Sequence, residues 1–224
     1  MATTKATGKG NKAKTDDQKE KLISAYKEFV LLNGHEPPSV FQFMRALDMA
    51  EEDFYKHFGA FSSIQRETWK EYITNTMKVL QEDKLYAEYS IREKLLAFYY
   101  TLMEVLKKDR SYAQLCFRDA KRPELTPSFL KSFKADFNDY IRQLISEGLA
   151  SEEIVKRPVI TERYHDALWL QVLFVINFWL KDDSANFEKT DAAIEKSVNL
   201  SFELMGRGPL DMMVDFAKFL YQNR

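Results

Sequence analysis

Residues 39–58 read Ser-Val-Phe-Gln-Phe-Met-Arg-Ala-Leu-Asp-Met-Ala-Glu-Glu-Asp-Phe-Tyr-Lys-His-Phe. This stretch predicts two short helices with a tight break at residues 47–49, Leu-Asp-Met. An aromatic cluster of Phe54, Tyr55 and Phe58 closes the second helix, and a longer helix is predicted to begin at Phe61. Two short helices joined by a turn of a few residues are the layout of a helix-turn-helix. Any small three-helix unit with an aromatic core gives a similar pattern, so the pattern alone leaves both interpretations open.

One amphipathic helix is predicted before this stretch. Thr15 or Asp16 can cap its start, and the Asn-Gly pair at residues 33–34 ends it, because glycine readily adopts the left-handed conformation of a C-cap. The Pro-Pro pair at residues 37–38 prevents the helix from restarting, and Ser39 can cap the next one.

Helical patterns also fill the rest of the chain. Apolar residues recur at helical spacing, and no stretch shows the alternation of a strand. Gly148 is expected to end the longest helix in the middle of the chain. The sequence therefore predicts an all-α fold, with an N-terminal three-helix helix-turn-helix head and a larger helical domain. The predicted helices of the larger domain cover residues 61–82, 90–108, 109–120, 127–148, 161–180, 186–205 and a segment after residue 209.

The helix predicted over residues 161–180 is apolar nearly all round, which indicates burial on several sides. Apolar patches of that size usually mark interfaces, so we expect a two-fold homodimer built on the last long helices. The residues expected in or near the contact with the helix over 186–205 are Trp169, Val172, Phe178 and Trp179.

Composition argues against several classes of protein. The net charge of −1 gives the whole chain no bias toward nucleic acid or membrane. Cys116 is the sole cysteine, so the chain has neither an intramolecular disulfide nor a multi-cysteine zinc site. The N-terminus lacks the apolar core of a signal peptide. The longest apolar run, residues 167–180, is about 14 residues, shorter than the roughly 20 that a membrane span needs. We therefore expect a cytoplasmic protein that does not enter a membrane.

Sequence motifs of enzymes are missing as well. The chain contains no P-loop, GxGxxG, HExxH or GxSxG motif. Glu162 and His165 have the spacing of half a di-iron site, but neither His35 nor His57 follows a glutamate at that spacing. The sequence predicts that the chain is not an enzyme and uses no cofactor or metal.

The helix-turn-helix stretch resembles the N-terminal domain of TetR-type (tetracycline-repressor-like) transcriptional regulators over residues 17–64. In that family a helix opening on Thr or Ser leads to a Gly-Val-Ser turn and a recognition helix that ends in Leu-Tyr-x-His-Phe. Here Ser39 matches the opening hydroxyl, Asp48-Met49-Ala50 stand at the turn, and residues 54–58, Phe-Tyr-Lys-His-Phe, match the ending. The resemblance implies a head that binds palindromic double-stranded DNA.

The resemblance also implies individual roles in DNA binding. Ser39 would donate to a phosphate, Lys56 would neutralise one, and Tyr55 and His57 would contact the backbone or base edges. The implied DNA-binding set is Ser39, Ala50, Glu51, Tyr55, Lys56 and His57.

One departure from the family bears on these roles. The first turn of the recognition helix is Glu51-Glu52-Asp53, where the family usually has small, polar or basic residues. Residues 16–58 hold nine acidic and five basic side chains, whereas a DNA-binding surface is usually basic. The alternative is therefore a helical dimer of the same ancestry that has lost operator binding and acts as a ligand-binding or interaction protein.

For the larger domain the resemblance implies an apolar pocket for a small apolar effector. Its aromatic side chains can equally be plain core. The candidate ligand-binding residues are Tyr100, Phe117, Phe137, His165, Trp169 and Gln171. The expected domains are a disordered basic arm over residues 1–15, a DNA-binding head over 16–60, and a ligand-binding and dimerisation domain over 61–224.

Overall fold

The computed structural model describes residues 8–118, 126–158, 160–206 and 208–223. Within these residues it contains ten α-helices and no β-strand, which confirms the predicted all-α fold. None of the described helices has the length and apolar character that crossing a membrane requires. The helices are α1 (Gly8–Asn33), α2 (Val40–Ala46), α3 (Glu51–Tyr55), α4 (Phe61–Glu82), α5 (Ile91–Lys107), α6 (Arg110–Arg118), α7 (Lys131–Ala150), α8 (Tyr164–Lys181), α9 (Glu188–Met205) and α10 (Pro209–Gln222).

The chain divides into two compact units, and the division falls inside α4 rather than near residue 60. We call them the N-terminal unit and the C-terminal unit. The N-terminal unit comprises the chain as far as Trp69 together with Ser111–Lys131, and the C-terminal unit comprises Lys70–Arg110 and Ser132–Arg224.

Aromatic packing explains why the start of α4 belongs to the N-terminal unit. The Trp69 ring lies 5.7 Å from the Phe117 ring and 5.4 Å from the Phe129 ring, between centroids. Trp69 is fully buried by this packing. The functional domain limits expected from the sequence, at residues 60 and 61, stay a prediction.

The core of the helix-turn-helix is also aromatic. The Phe61 ring centroid lies 5.4 Å from that of Tyr26 and 5.5 Å from those of Phe43 and Phe54. Phe43, Phe54 and Tyr26 are buried, so one side chain from each of α1, α2 and α3 packs against the first residue of α4. This packing holds α2 and α3 in place by apolar burial.

Local signals set most helix ends as predicted. Gly34 ends α1 with a φ of 72°, and the Ser39 hydroxyl caps α2 by accepting a hydrogen bond of 3.1 Å from the Gln42 backbone N–H. The start of α1 differs from the sequence prediction, because the helix begins at Gly8 rather than near Asp16. The segment from residue 9 to 14 holds three lysines and one alanine, which are good helix formers, and contains no proline. Residues 1–7 of the predicted arm lie outside the described residues.

The end of α7 corrects another prediction. Gly148 does not end this helix, which continues to Ala150. A Cβ at position 148 would lie 2.6 Å from Ile154 Cδ1, so the glycine leaves room for Ile154 on the helix surface. Its function here is close packing, which a sequence pattern does not distinguish from a helix stop.

In the C-terminal unit α5 and α8 both pack against α9. Three of the four side chains expected at a dimer contact, Trp169, Val172 and Trp179, are buried within this single chain instead, and Phe178 is half-buried. The apolar side chains that α8 exposes are Leu170 and Phe174. The expected contact residues are therefore corrected, because the core of the chain itself covers most of α8.

Buried polar groups hold α9 at both ends. At its start, both carboxylate oxygens of Asp182 accept hydrogen bonds. One accepts from the Thr190 backbone N–H at 2.8 Å, and the other accepts from the Ser184 hydroxyl at 2.6 Å. At its end, the buried Arg157 guanidinium donates to the carbonyl oxygens of the last residues, including Gly206 at 2.7 Å. These contacts satisfy helix-terminal groups that would otherwise lack partners.

Candidate nucleic-acid interface and ligand-binding residues

The turn between α2 and α3 is built by its backbone. Asp48 adopts a left-handed conformation with a φ of 55°, which interrupts the helix after Leu47. The Asp48 N–H donates to the Arg45 carbonyl at 3.1 Å, and the Met49 N–H donates to the Met44 carbonyl at 3.0 Å. Aspartate tolerates this conformation better than most residues, so it can replace the glycine that the family usually has at this position.

Six residues were predicted to bind DNA, and two of them lie just before a helix. Ser39 is exposed, and its oxygen already accepts the Gln42 N–H at the start of α2. Its hydroxyl proton stays available to donate to another acceptor. Ala50 is exposed at the start of α3, where it is the N-cap residue.

The other predicted residues lie on α3 or directly after it. Tyr55 is 54% exposed, and its hydroxyl donates to Glu51 Oε1 at 3.1 Å. This hydrogen bond raises the pKa of Tyr55. The Lys56 ammonium lies 2.6 Å from Asp53 Oδ1, and that hydrogen bond raises the pKa of Lys56. Both candidate contact groups are therefore already bound to acidic side chains of the same short helix.

His57 differs from its neighbours because it is half-buried. Its ring centroid lies 6.4 Å from that of the buried Phe58. Of the predicted residues on and after α3, the structure thus gives Tyr55 and Lys56 the largest exposed surface, and Glu51 and His57 less.

Sequence reasoning did not single out the outer face of α2. Phe41 is 52% exposed, and the Arg45 guanidinium carbon lies 5.9 Å from the centre of its ring. The i, i+4 spacing of an aromatic and a basic residue on one helix was the signal available in the sequence.

The predicted ligand-binding residues are brought together only in part. Trp169 on α8 lies 5.9 Å from Phe137 on α7, between ring centroids, and both are buried. Phe133 joins them, 6.3 Å from Trp169. These three rings form an apolar cluster inside the C-terminal unit. Phe117 belongs to the N-terminal unit, where it contacts Trp69.

The polar members of the predicted set make separate contacts. Gln171 is buried; its Oε1 accepts from the Ser201 hydroxyl at 3.0 Å, and its Nε2 has no hydrogen-bond partner among the described residues. The Tyr100 hydroxyl donates to Glu195 at 3.3 Å, and burial together with this carboxylate raises the pKa of Tyr100 to about 12. His165 lies at the surface end of α8, 3.3 Å from Asp166.

Tyr99 is a buried polar residue outside the predicted ligand-binding set, because the sequence pattern indicated a plain core aromatic there. Its side chain is fully buried, and its hydroxyl has no hydrogen-bond partner among the described residues. Burial raises the pKa of this hydroxyl. A hollow of about 220 Å³ beside the end of α7 is lined by other residues, Leu149, Glu152, Ile154, Val155 and Lys156.

A family model described as the tetracyclin repressor-like C-terminal domain matches residues 94–220. The chain belongs to the TetR family. The match begins in α5 and ends in α10, and it covers more than half of the chain. It confirms the family that the helix-turn-helix residues predicted, and it does so from a different part of the sequence.

Solved structures share the fold of this TetR-family protein. It is similar to a putative TetR-family transcriptional regulator from Syntrophomonas wolfei, with a TM-score of 0.65 and 14% identity over 84% of this chain and 95% of that chain. A putative TetR-family regulator from Shewanella sp. PV-4 has a TM-score of 0.58 and 15% identity over 84% and 97% of the two chains.

A third similar structure is a protein of unknown function from Rhodococcus sp. RHA1, with a TM-score of 0.58 and 11% identity over 85% of this chain and 96% of that chain. At these identities the similarity concerns the fold alone. No curated protein sequence matches the chain.

Proposed function

We propose that this TetR-family protein is a one-component transcriptional regulator. Its N-terminal unit binds palindromic double-stranded DNA, and a small apolar ligand bound in its C-terminal unit modulates that binding. The observation that carries the proposal is the pair α2–α3, broken at the left-handed Asp48, with Tyr55 exposed on the second helix and Lys56 exposed directly after it. In a helix-turn-helix the second helix enters the major groove while the first crosses the backbone.

A homodimer is part of the proposal, because a palindromic site requires two heads. Exposed apolar side chains on α8 and α9 support it. Phe174 is 48% exposed and Leu200 is 56% exposed, and Leu170 and Leu204 are exposed on the same two helices. Apolar surface of this kind is a usual feature of an isologous interface between two copies.

The interior of the C-terminal unit supports the proposal that a small apolar ligand binds there. The ring cluster of Phe133, Phe137 and Trp169 offers an apolar environment. Buried polar groups such as Gln171 Nε2 and the Tyr99 hydroxyl have no partner among the described residues, and an acceptor on a ligand would satisfy them. A ligand that fits one spacing of the two heads better than another shifts the population toward that spacing.

The alternative is a dimer that has lost operator binding. The acidic first turn of α3, Glu51, Glu52 and Asp53, favours this alternative, since three carboxylates oppose an approach to phosphates. The same acids suit the positive end of the helix, which gives them a structural reason to be there. A carboxylate can also accept a hydrogen bond from cytosine N4, so the acids do not decide between the two functions.

A binding experiment distinguishes the regulator from the dimer that has lost operator binding. The full-length protein is used to select sites from random-sequence duplexes, and fluorescence anisotropy then compares the selected site with random DNA at low and moderate salt. We expect a palindromic site that binds more tightly than random DNA. If the selected and random duplexes bind equally at both salt concentrations, the regulator function is refuted and the ligand-binding dimer stands.

The proposed modulation of DNA binding by an apolar ligand is tested with 1-anilinonaphthalene-8-sulfonate as an apolar fluorescent probe. We expect saturable binding of the probe and a change in DNA affinity in its presence. Linkage requires that DNA change the affinity for the probe by the same factor. A probe that binds without altering DNA affinity argues against coupling.

A further inference from the structure

The outer face of α2 carries an aromatic–arginine pair. Phe41, Gln42 and Arg45 are exposed, whereas Phe43 and Met44 are buried against the rest of the head. Phe41 is 52% exposed and so lies outside the buried core, although it is among the largest side chains on this helix. Its ring lies 5.9 Å from the Arg45 guanidinium carbon, within the distance at which a cation and a ring attract each other.

The cations of the N-terminal unit differ in their partners. Lys19 pairs with Glu67, Lys27 lies 5.6 Å from the centre of the Tyr112 ring, and Lys56 pairs with Asp53 at 2.6 Å. Arg45 pairs with no carboxylate within the described ranges of the chain, and its charge is exposed. A cation already paired with a carboxylate gains less from a phosphate, because the two anions compete for it.

The position of Arg45 suits a phosphate contact. In a helix-turn-helix the first helix crosses the DNA backbone, and here that helix is α2. A guanidinium can donate two parallel hydrogen bonds to a phosphate, which an ammonium cannot do in a fixed geometry. Stacking on Phe41 restricts the guanidinium, so less side-chain freedom is lost when DNA binds.

We propose that Arg45, positioned by the Phe41 ring, is a phosphate-binding cation of the head, and that Lys56 is retained by Asp53. The inference rests on the proposed DNA-binding function and assigns the phosphate contact to α2 rather than to α3.

The test is the salt dependence of binding of the full-length protein to its selected site. In Arg45→Gln we expect weaker binding to selected and random DNA alike, and a slope of log K against log salt that falls by about one. In Lys56→Gln we expect the slope of the wild type. Arg142→Gln makes the same change in charge at an exposed position of the C-terminal unit and serves as the control.

The function of Phe41 is tested by conservative variants. Phe41→Leu keeps an apolar side chain but removes the ring, so we expect binding several-fold weaker with the slope unchanged. Phe41→Tyr keeps the ring and should bind like the wild type. Arg45→Lys should keep the slope but lose affinity, because one point charge replaces the planar guanidinium.

The result that contradicts the assignment of Arg45 differs from the result that contradicts DNA binding itself. If the wild type binds DNA specifically, but Arg45→Gln keeps the wild-type slope or Lys56→Gln lowers it by about one, the inference is wrong and the function stands. If the wild type binds selected and random duplexes equally at both salt concentrations, the function itself fails and the inference with it. Thermal unfolding of each variant at the wild-type temperature excludes misfolding as the cause.

Discussion

Arg157 is a single residue on which the end of α9 depends. Its buried guanidinium donates to the Tyr164 hydroxyl at 2.8 Å and to the carbonyl oxygens of Leu204, Met205 and Gly206. Arg157→Ala removes one donor from all four acceptors, of which the Met205 carbonyl still accepts from the Val155 N–H at 2.9 Å. We expect a loss of about 2–3 kcal/mol in the free energy of unfolding. Urea denaturation measures this loss. The control is Arg163→Ala at an exposed position, for which we expect a change in the free energy of unfolding within about 0.5 kcal/mol. Equal losses in the two variants would contradict a specific function for Arg157.

Asp182 is a single residue that makes the free energy of unfolding depend on pH. Burial alone would raise its pKa, but hydrogen bonds from Ser184 and Thr190 outweigh burial and lower it well below its ordinary value. A lowered pKa means that the stabilisation is complete above the unfolded-state value of about 4 and is lost as the pH falls toward the folded-state value. Asp182→Asn should therefore be less stable than the wild type at pH 7, and the difference should shrink below about pH 4.

Urea denaturation at a fixed protein concentration checks the Asp182 prediction at both ends of this range. The control is Asp139→Asn, which removes an exposed carboxylate paired with Arg142 at 3.1 Å. Exposed pairs contribute little, so this variant should follow the wild-type curve. A difference between Asp182→Asn and the wild type that stays constant down to pH 2 would refute the prediction.

At the scale of a single helix, the negative charge of α3 is expected to affect DNA binding. Glu51 and Glu52 lie in the first turn of this five-residue helix. If α3 faces DNA, Glu51→Gln with Glu52→Gln removes repulsion from phosphates and should tighten non-specific binding several-fold at low salt, and less at higher salt. Specificity should fall at any cytosine that one of the two carboxylates contacts.

The matched control for α3 changes the same charge elsewhere. Glu82→Gln with Glu104→Gln removes two exposed carboxylates from the C-terminal unit. Fluorescence anisotropy with random DNA compares the two double variants. Equal tightening in both would mean that net charge alone is responsible and that α3 does not approach the DNA.

For the whole molecule, the proposed dimer rests on the exposed apolar side chains of α8 and α9. Phe174→Glu with Leu200→Glu places charges on the proposed interface, and burying them would oppose association. We expect the dimer dissociation constant to rise at least about tenfold. Sedimentation equilibrium measures it. The control is Leu85→Glu, an equally exposed leucine of the same unit, and dissociation by that variant would argue for a different interface.

Much of the fold was predictable from the sequence because its signals are local. Gly34 and Ser39 mark helix ends whose hydrogen bonds join residues three or four positions apart. The break at Asp48 is equally local, since it depends on the conformation that one residue tolerates. Such signals predicted the helix-turn-helix and, through it, the family.

The tertiary structure decided which faces of the helices are buried. Because α8 is apolar nearly all round, its sequence could not show that Trp169 and Trp179 lie in the core while Leu170 and Phe174 remain exposed. That choice depends on α9, the next α-helix in the chain, and on α5 and α7, which are distant in the sequence. Gly148 is of the same kind, since the space beside it depends on where the chain places Ile154. Helix ends follow from neighbours in the chain, whereas burial follows from neighbours in space.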